Sequence, residues 1–268
     1  MKWFTGIFGS LFAKQAAILV AIFLFTLASA SAQTKTFFDL VKTGTPSSVK
    51  AAIANGANVN AKETNGESVL MYAAANNPDP EVITILLKAG ADMKARDAEY
   101  GKTPLMWSAQ FNKNPEVTTV LLKAGADIEA RSIKSTQQSW TALMWAAQST
   151  TNPEVISTLV KAGANIKTKD DTGLTVLMIG AEYNANPEVI TRLIKAGADV
   201  NATDQDGLTP LIAAASKNQN PDVVAALLKA GANAKVKNKK GFTALDYGKY
   251  NKHLAGTNAL SQLQNASQ

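Results

Sequence analysis

The chain has 268 residues, of which 46% are hydrophobic and 18% are charged, with a formal net charge of +6. This composition is ordinary for a globular protein and excludes wholesale disorder. There is no cysteine and a single histidine, His253. The sequence therefore excludes disulfides, zinc–thiolate sites and thiol nucleophiles, and it leaves almost no material for a Ser-His-Asp triad or a multi-histidine metal site.

Residues 1–32 have the composition of a secretory signal peptide. Two lysines are their only charges, an apolar segment covers residues 16–27, and small residues alternate around Ala30 and Ala32. A short apolar core followed by an A-x-A site is typical of a cleaved export signal. We predict cleavage after Ala32, with Ala30 as the alternative. The other interpretation is an uncleaved N-terminal anchor, because the neutral stretch can be extended to nearly the length of a membrane span.

The remaining chain, residues 33–268, has 25 basic and 21 acidic residues. This mild net charge of +4 does not indicate a nucleic-acid partner. A lipoprotein anchor is excluded because no cysteine is available to carry the lipid.

A repeat of about 34 residues runs through this part of the chain. A glycine in an Ala-Gly-Ala or Asn-Gly-Ala tripeptide recurs at Gly56, Gly90, Gly125, Gly163, Gly197 and Gly231. A Pro-Glu-Val or Pro-Asp-Val block precedes five of these glycines, and a block that begins with Ser or Thr lies further upstream. A fixed period of this length predicts a solenoid of stacked supersecondary units.

Each block predicts one part of a helix pair. Thr or Ser, often followed by Pro, begins a first helix, because the hydroxyl caps an orphan N–H and proline is tolerated at the first helical position. Asn-Pro-Glu begins a second helix, with Asp79 replacing the Asn in the first full copy. The acid in its first turn and a lysine in its last turn complement the helix dipole. The repeat glycine then ends the helix in a left-handed conformation.

A second glycine closes each unit in a hairpin-like finger, at Gly66, Gly101, Gly173, Gly207 and Gly241. The pattern Gly-x-Thr-Pro-Leu-x-x-Ala-Ala, followed by a capped second helix and Leu-Leu-Lys-Ala-Gly-Ala-Asp-Val-Asn-Ala, resembles the ankyrin repeat over roughly residues 34–266. The resemblance implies an all-α ankyrin-repeat solenoid of helix pairs with hairpin-like finger loops.

The repeats divide residues 33–268 into one ankyrin repeat domain with caps at both ends. The predicted parts are an N-terminal cap 34–66, five full units at 67–101, 102–139, 140–173, 174–207 and 208–241, and a C-terminal cap 242–268. Methionine stands where the family has its usual histidine, at Met71, Met106, Met144 and Met178. We therefore expect adaptable packing at these positions in place of the histidine hydrogen bond.

No motif for catalysis, cofactors or metals stands out. Asp170, Asp171, Asp204 and Asp206 resemble fragments of a calcium loop but lack the closing Glu, so a role in turns is favoured. The glycine-rich loops that cradle phosphates are absent from the sequence. We predict that the protein is not an enzyme and needs no cofactor or metal.

The resemblance implies that a protein or peptide partner binds in the groove formed by the fingers and the exposed side of the first helices. One column of residues there follows the position of the finger glycine, which Ser139 occupies before Trp140: Glu67, Lys102, Trp140, Leu174, Leu208 and Phe242. Its last four members are apolar, which favours partner contact. A second column contains Tyr72, Trp107, Trp145, Ile179, Ala213 and Tyr247. Its aromatic members Tyr72, Trp107 and Trp145 are candidate anchors, and packing between units is an equally good interpretation.

Two loops add candidates for contact. The finger at residues 131–139 is longer than the later fingers and lacks the turn glycine, so we expect a partner first near Trp140. On this interpretation Trp140→Ala weakens partner capture more than it lowers the melting temperature. A later finger carries Lys235, Lys237, Lys239 and Lys240. It could touch an anionic surface, although a solvated loop is favoured.

These features together predict a monomeric, non-catalytic scaffold for protein–protein interaction in the bacterial periplasm, with secretion from the cell as the second location. Two alternative functions are a secreted effector that binds proteins of another organism and an accessory protein that protects or activates a periplasmic enzyme.

Overall fold

The computed structural model describes residues 36–133 and 139–268, which form a row of helix pairs. The first helices of the pairs are α1 (residues 36–43), α3 (Val69–Asn76), α5 (Pro104–Phe111), α7 (Ala142–Ser149), α9 (Val176–Tyr183), α11 (Pro210–Lys217) and α13 (Ala244–Gly248). The second helices are α2 (Pro46–Ala54), α4 (Pro80–Lys88), α6 (Pro115–Lys123), α8 (Pro153–Lys161), α10 (Pro187–Lys195), α12 (Pro221–Lys229) and α14 (Asn258–Ala266). The predicted signal peptide with Ala30 and Ala32, and the tip of the long finger, lie outside the described residues.

First helices stack on first helices, and second helices stack on second helices. From α3 to α13 each first helix contacts the next one, and from α2 to α14 each second helix does the same. In the two described segments, β pairing is limited to the bridges between Lys62 and Ser68 and between Lys169 and Thr175. The fold is therefore the all-α solenoid with short finger loops that the repeat predicts.

The predicted helix boundaries are in place with one exception. Asp79, Asn114, Asn152, Asn186 and Asn220 each accept a hydrogen bond from the backbone N–H of the acidic residue two positions later. Hydroxyl caps begin most first helices, as at Thr209, whose side chain accepts from the Ile212 N–H. Thr141 makes no such bond, so the predicted cap of α7 is wrong. The repeat glycines are left-handed, with φ between 86° at Gly90 and 98° at Gly163.

The methionines do more than pack. The Sδ atoms of Met71, Met106 and Met178 accept from the backbone N–H of the capping Ser or Thr, at 3.3, 3.4 and 3.5 Å. A thioether is a weak acceptor, yet it closes the capping box that a Glu side chain usually closes. The expectation that these positions only pack is therefore corrected.

The core runs along the whole row. The first helices are buried on nearly every side, as in α9, where all residues from Val176 to Ala181 are buried. The second helices bury one face, represented by Val189, Ile190 and Leu193 in α10. Each unit thus covers the apolar flank of its neighbours, and no unit has a separate core.

A ladder of buried asparagines links consecutive units. Asn218 donates from Nδ2 to the carbonyls of Ala181 and Asn184 at 2.8 and 3.0 Å, and its Oδ1 accepts from the Asn220 N–H. The same pattern recurs at Asn77, Asn112, Asn184 and Asn251. Thr150 takes this place in unit 140–173, and its side-chain hydroxyl bonds only within its own turn. The sequence signal for the ladder at Asn112, Asn184 and Asn218 is the first Asn of Asn-x-Asn-Pro, whereas the predicted capping role concerns only the second Asn.

Candidate partner-binding surface

The fingers and the exposed sides of the first helices form a continuous surface, which we call the finger–helix face. Neighbouring fingers are joined by backbone hydrogen bonds, such as Ala98 N–H to Asn65 O at 2.8 Å and Ile133 N–H to Tyr100 O at 3.0 Å. Gly101 permits the close approach of two fingers, because a Cβ there would lie 2.7 Å from the Ile133 nitrogen. The fingers are thereby held in a fixed row.

Aspartates organise the later fingers. Asp170 Oδ1 accepts from the backbone N–H groups of Thr172 and Leu174, and Asp204 Oδ1 accepts from those of Asp206 and Leu208. These are turn contacts, as the sequence favoured. Within residues 36–133 and 139–268, acidic and histidine side chains form no group able to hold a metal ion.

Trp140 is not a surface anchor, contrary to the sequence-based expectation. It is 1% exposed, and its indole Nε1 donates to Asp170 Oδ2 at 3.0 Å. Its ring packs edge-on against Trp145, with centroids 4.9 Å apart. The acceptor in the next finger draws the indole inward, so Trp140 belongs to the core.

Trp145 is also buried, so at this position of the second column the packing interpretation is the correct one. Its Nε1 is the one buried side-chain nitrogen or oxygen in the described segments that has no hydrogen-bond partner. Trp107 differs, because it is half-buried and donates from Nε1 to Asp97 Oδ2 at 2.9 Å. Trp107 therefore keeps one side on the finger–helix face.

Lys102 fills a box of aromatic rings. Although it follows a finger glycine, it is only 4% exposed. Its ammonium lies 4.4 Å from the ring centroid of Trp107, 4.6 Å from Trp145, 5.0 Å from Tyr100 and 5.3 Å from Phe111. All four distances fall within the range of cation–π attraction.

The charge of Lys102 has few polar partners. Nζ donates to Gln110 Oε1 at 3.1 Å. Burial lowers the pKa of the Lys102 ammonium, and the carboxylates of Asp97, Glu99 and Glu67 oppose that shift. The sequence places Lys102 with the charged finger residues, and the structure corrects this, because Lys102 is buried with its ammonium among the four rings.

Beside this box, apolar side chains reach the solvent. Phe111 is 47% exposed and Ile133 is 69% exposed, and Trp107 stacks at a tilt on Phe111 with centroids 5.3 Å apart. We call Tyr100, Trp107, Phe111 and Ile133 the apolar patch. Of these four, Trp107 is a predicted contact residue and Ile133 belongs to the long finger at which a partner contact is predicted. Tyr100 and Phe111 lie outside both predictions, and the signal for Phe111 is its place one turn beyond Trp107.

The remaining predicted contact residues occupy intermediate positions. Leu174 and Leu208 are half-buried and pack partly against the core. Tyr72 is half-buried between the Phe38 ring and the Lys42 ammonium. Phe242 is 49% exposed, so its surface position agrees with the expectation for it. Partner binding by these four residues stays a prediction.

Tyr183 is a further exposed aromatic residue on this face. Burial of its hydroxyl and its hydrogen bond with Glu182 raise the pKa of Tyr183 to about 12. The Glu182 carboxylate also forms an ion pair with Lys217 of the next unit. Burial likewise raises the pKa of Tyr72 to about 12, with Glu67 adding to the shift.

On the surface away from the fingers, the second helices form a groove. This groove of about 910 Å³ lies between α10, α12 and α14, and its titratable lining residues are Lys195, Asp222 and Lys229. These are the charges at the ends of helices. His253 is exposed in the C-terminal cap. In the segments 36–133 and 139–268, no helix combines the length and the apolar character needed to cross a membrane.

Comparisons with known proteins agree with this architecture. The family model for ankyrin repeats in three copies matches residues 37–132 and 177–267, and the single ankyrin repeat model matches residues 138–171. The crystal structure of the human ASB11 ankyrin repeat domain is similar, with a TM-score of 0.70 and 25% sequence identity. That similarity covers 86% of this chain and 96% of the human domain. No curated protein sequence matches the chain.

A row of helix pairs with paired fingers and this extent of sequence match defines the class of protein. The chain belongs to the ankyrin repeat family. Ankyrin repeats are protein-interaction modules, and this chain has the architecture of a protein–protein interaction scaffold.

Proposed function

We propose that the protein is a non-catalytic, monomeric scaffold of the bacterial periplasm that binds a protein partner through its finger–helix face, with the apolar patch as the anchor. The observation that carries this proposal is the exposure of Phe111, which packs on the half-buried Trp107, together with the exposure of Ile133 on the finger bonded to Tyr100. Exposed apolar side chains grouped in this way are typical of interface centres.

The apolar patch is fixed before a partner arrives. Lys102 and the ring contacts hold Trp107 and Phe111 in place, and the bond from Ile133 to Tyr100 holds the finger. A rigid surface loses little conformational entropy on binding, so its contact area contributes more fully to affinity. The chemistry of the patch fits an apolar or aromatic segment of a protein better than a polar small molecule.

The non-catalytic part of the proposal is supported by the positions of the titratable side chains. His253 is exposed on the C-terminal cap, and Asp170 and Asp204 are engaged in turns. None of them faces a nucleophile in a cleft, which is what acid–base chemistry needs.

Photo-crosslinking tests the binding face directly. Benzoylphenylalanine is placed at Phe111 or Ile133, and as a control at Lys123, which is exposed on the second helix of the same unit. We expect positions 111 and 133 to cross-link the same partner in living cells, and position 123 to give none. A partner captured from position 123 alone would contradict the proposal.

The location is tested by fractionation and N-terminal sequencing. We expect the protein in the osmotic-shock fraction, beginning at Gln33 after cleavage at Ala32, or at Ser31 after cleavage at Ala30. Recovery in the membrane fraction with residue 1 intact would favour the anchored alternative. A cytoplasmic chain with an intact leader would contradict periplasmic function.

A further inference from the structure

The positive charge of the protein is concentrated at one end. Residues 229–268 hold seven lysines, no arginine and one acidic residue, so their net charge is +6. Residues 33–228 hold 18 basic and 20 acidic residues, a net charge of −2. A solenoid whose units share one pattern has no structural need for this asymmetry, because stacking requires only the apolar flanks.

The lysines of this end face the solvent. Six lie in the last finger and after α13, and all six are exposed: Lys235, Lys237, Lys239, Lys240, Lys249 and Lys252. Lys235 donates to the backbone oxygen of Gln268 at 2.9 Å. Within the described part of the chain, none of the other five lies within ion-pairing distance of an Asp or Glu carboxylate, although ion pairs form elsewhere, as at Arg192.

The finger and the C-terminal cap form one surface. Asp246, the only acid here, accepts from the Thr243 N–H at 2.8 Å and from its hydroxyl at 2.7 Å. These two bonds lower the pKa of Asp246, and the nearby charges of Lys249 and Lys237 act in the same direction. Lys237 belongs to the finger and Lys249 follows α13, so both segments place positive charge around Asp246. The Asp246 carboxylate is already hydrogen-bonded to Thr243.

Two aromatic rings stand out from this charged surface. Phe242 is 49% exposed, and Tyr250 is 91% exposed. Phe242 rests edge-on against Tyr247, with centroids 5.8 Å apart, and the Tyr247 hydroxyl accepts from Asn238 Nδ2 at 2.9 Å. Phe242 is thus held outward by a fixed neighbour. Aromatic side chains beside lysines are typical of protein surfaces that sit at a membrane interface.

We propose that this basic end, formed by the six exposed lysines with Phe242 and Tyr250, docks the solenoid on an anionic phospholipid surface. The lysines attract the headgroup phosphates, and the two rings insert at the level of the headgroups. The apolar patch lies on earlier units and stays accessible to a protein partner.

The residue types favour lipid over nucleic acid or an acidic protein. Lysine acts as a point charge, whereas bidentate recognition of bases and carboxylates favours the planar fork of arginine, and this end has no arginine. Lysines on loops suit a fluid surface whose charges rearrange to meet them. Export, which the leader predicts, would place the chain beside such surfaces.

Vesicle co-sedimentation tests the proposal with charge-matched variants of the purified protein. Lys239, Lys240, Lys249 and Lys252 are changed to Gln in one variant. Lys88, Lys123, Lys161 and Lys195, exposed at the ends of second helices, are changed to Gln in the control. The vesicles contain phosphatidylcholine alone or with 30% phosphatidylglycerol added. Binding to the neutral vesicles measures the contributions that do not depend on lipid charge, from the two rings and from the N-terminal segment, which all three proteins share.

We expect the wild type to bind anionic vesicles far better than neutral ones, and to lose this preference in high salt. Each lysine at the surface contributes about fivefold, so the first variant should bind at least about 100-fold more weakly while the control binds like the wild type. Phe242→Ser with Tyr250→Ser should weaken binding about tenfold without changing the salt dependence.

Two results would overturn the proposal. In the first, circular dichroism shows that all three proteins are folded, and the first variant binds anionic vesicles as tightly as the wild type or the control variant loses as much binding as the first variant. The other is tighter binding of the wild type to duplex DNA or polyglutamate than to anionic vesicles at the same salt. That result would assign the basic end to nucleic acid or to an acidic protein.

Discussion

Two junctions between units solve the same packing problem with different chemistry. Between units 174–207 and 208–241, Asn218 spans the junction with two hydrogen bonds to carbonyls, and Thr209 caps the incoming helix. Between units 102–139 and 140–173, Thr150 replaces the asparagine and Thr141 makes no cap bond. We call these the asparagine junction and the aromatic junction.

At the aromatic junction, rings and a buried charge replace the missing bonds. Trp140 and Trp145 pack against each other in the core here, and Lys102 from the preceding unit sits against the Trp145 ring. Gln110 Nε2 adds a hydrogen bond to Gln148 Oε1 at 3.1 Å. Two neighbouring units can therefore be joined by packed aromatic rings in place of hydrogen bonds from a buried asparagine. The apolar patch lies next to the junction of this second kind.

The largest expected effect is at the buried tryptophan. Trp140→Ala should destabilise the fold by about 3–5 kcal/mol, because it removes a large core side chain and leaves a cavity. Denaturant unfolding followed by circular dichroism measures the loss. A change below about 1 kcal/mol would mean that Trp140 does not fill the aromatic junction as described.

Removing a rung of the ladder comes next. Asn218→Ala should cost about 2–3 kcal/mol, because the carbonyls of Ala181 and Asn184 and the N–H of Asn220 lose their buried partner. Hydrogen exchange should show the loss concentrated in the amides of units 174–207 and 208–241. The control is Gln219→Ala, since the Gln219 side chain is an exposed amide next to it. Equal effects of the two changes would show that the buried bonds are not what matters.

The converse change adds the missing asparagine to the aromatic junction. Thr150→Asn places an amide where Asn184 and Asn218 have theirs in later units. We expect about 1 kcal/mol of stabilisation from bonds to the carbonyls of Ala109 and Asn112. Thermal unfolding checks the direction. Destabilisation would mean that the aromatic junction holds the two units too far apart for the asparagine geometry.

Lys102 gives a pH-dependent effect of smaller size. Its pKa is lowered in the fold, so between that value and its ordinary value the unfolded chain binds more protons, and stability rises as pH rises. Lys102→Met should remove this rise and change stability at pH 7 by less than about 1 kcal/mol, because relief from burying a charge offsets the lost cation–π contacts. Unfolding curves from pH 7 to 10 test it; a slope kept in the variant contradicts the assignment.

The raised pKa values of two tyrosines predict a pH dependence of stability with the opposite sign, at alkaline pH. Because the pKa values of Tyr72 and Tyr183 are raised to about 12, the fold binds protons more tightly, and stability is lost as pH rises from their ordinary value of 10.0 through about 12. The phenolate absorbance of the folded protein should show both groups titrating late, and Tyr183→Phe should remove one. Ionisation of both near pH 10 would contradict the contacts with Glu67 and Glu182.

The sequence is sufficient to predict the fold because its signals are local and repeated. Helix caps at Asn114 and Asn220 and the left-handed Gly90 and Gly163 depend on neighbouring residues only, and each occurs several times. The binding face is harder to predict. Whether the residue at the finger-glycine position plus one points in or out depends on its particular neighbours: the Trp140 indole is buried and bonded to Asp170 of the next finger, whereas Phe242 in the last finger rests against Tyr247 and stays exposed. Such pairings join residues that are distant in sequence, 30 positions apart for Trp140 and Asp170, and have no periodic signal.

The central claim is that the apolar patch recognises a partner, whereas the buried Trp140 and Trp145 only stabilise the fold. One experiment that measures binding and stability separately tests this claim. Once cross-linking supplies the partner, calorimetric titration and thermal unfolding are measured for Phe111→Ser and Trp140→Phe. We predict at least about tenfold weaker binding with a melting point within about 2 °C of wild type for Phe111→Ser, and a lower melting point with unchanged affinity for Trp140→Phe. The reverse pattern would contradict the account.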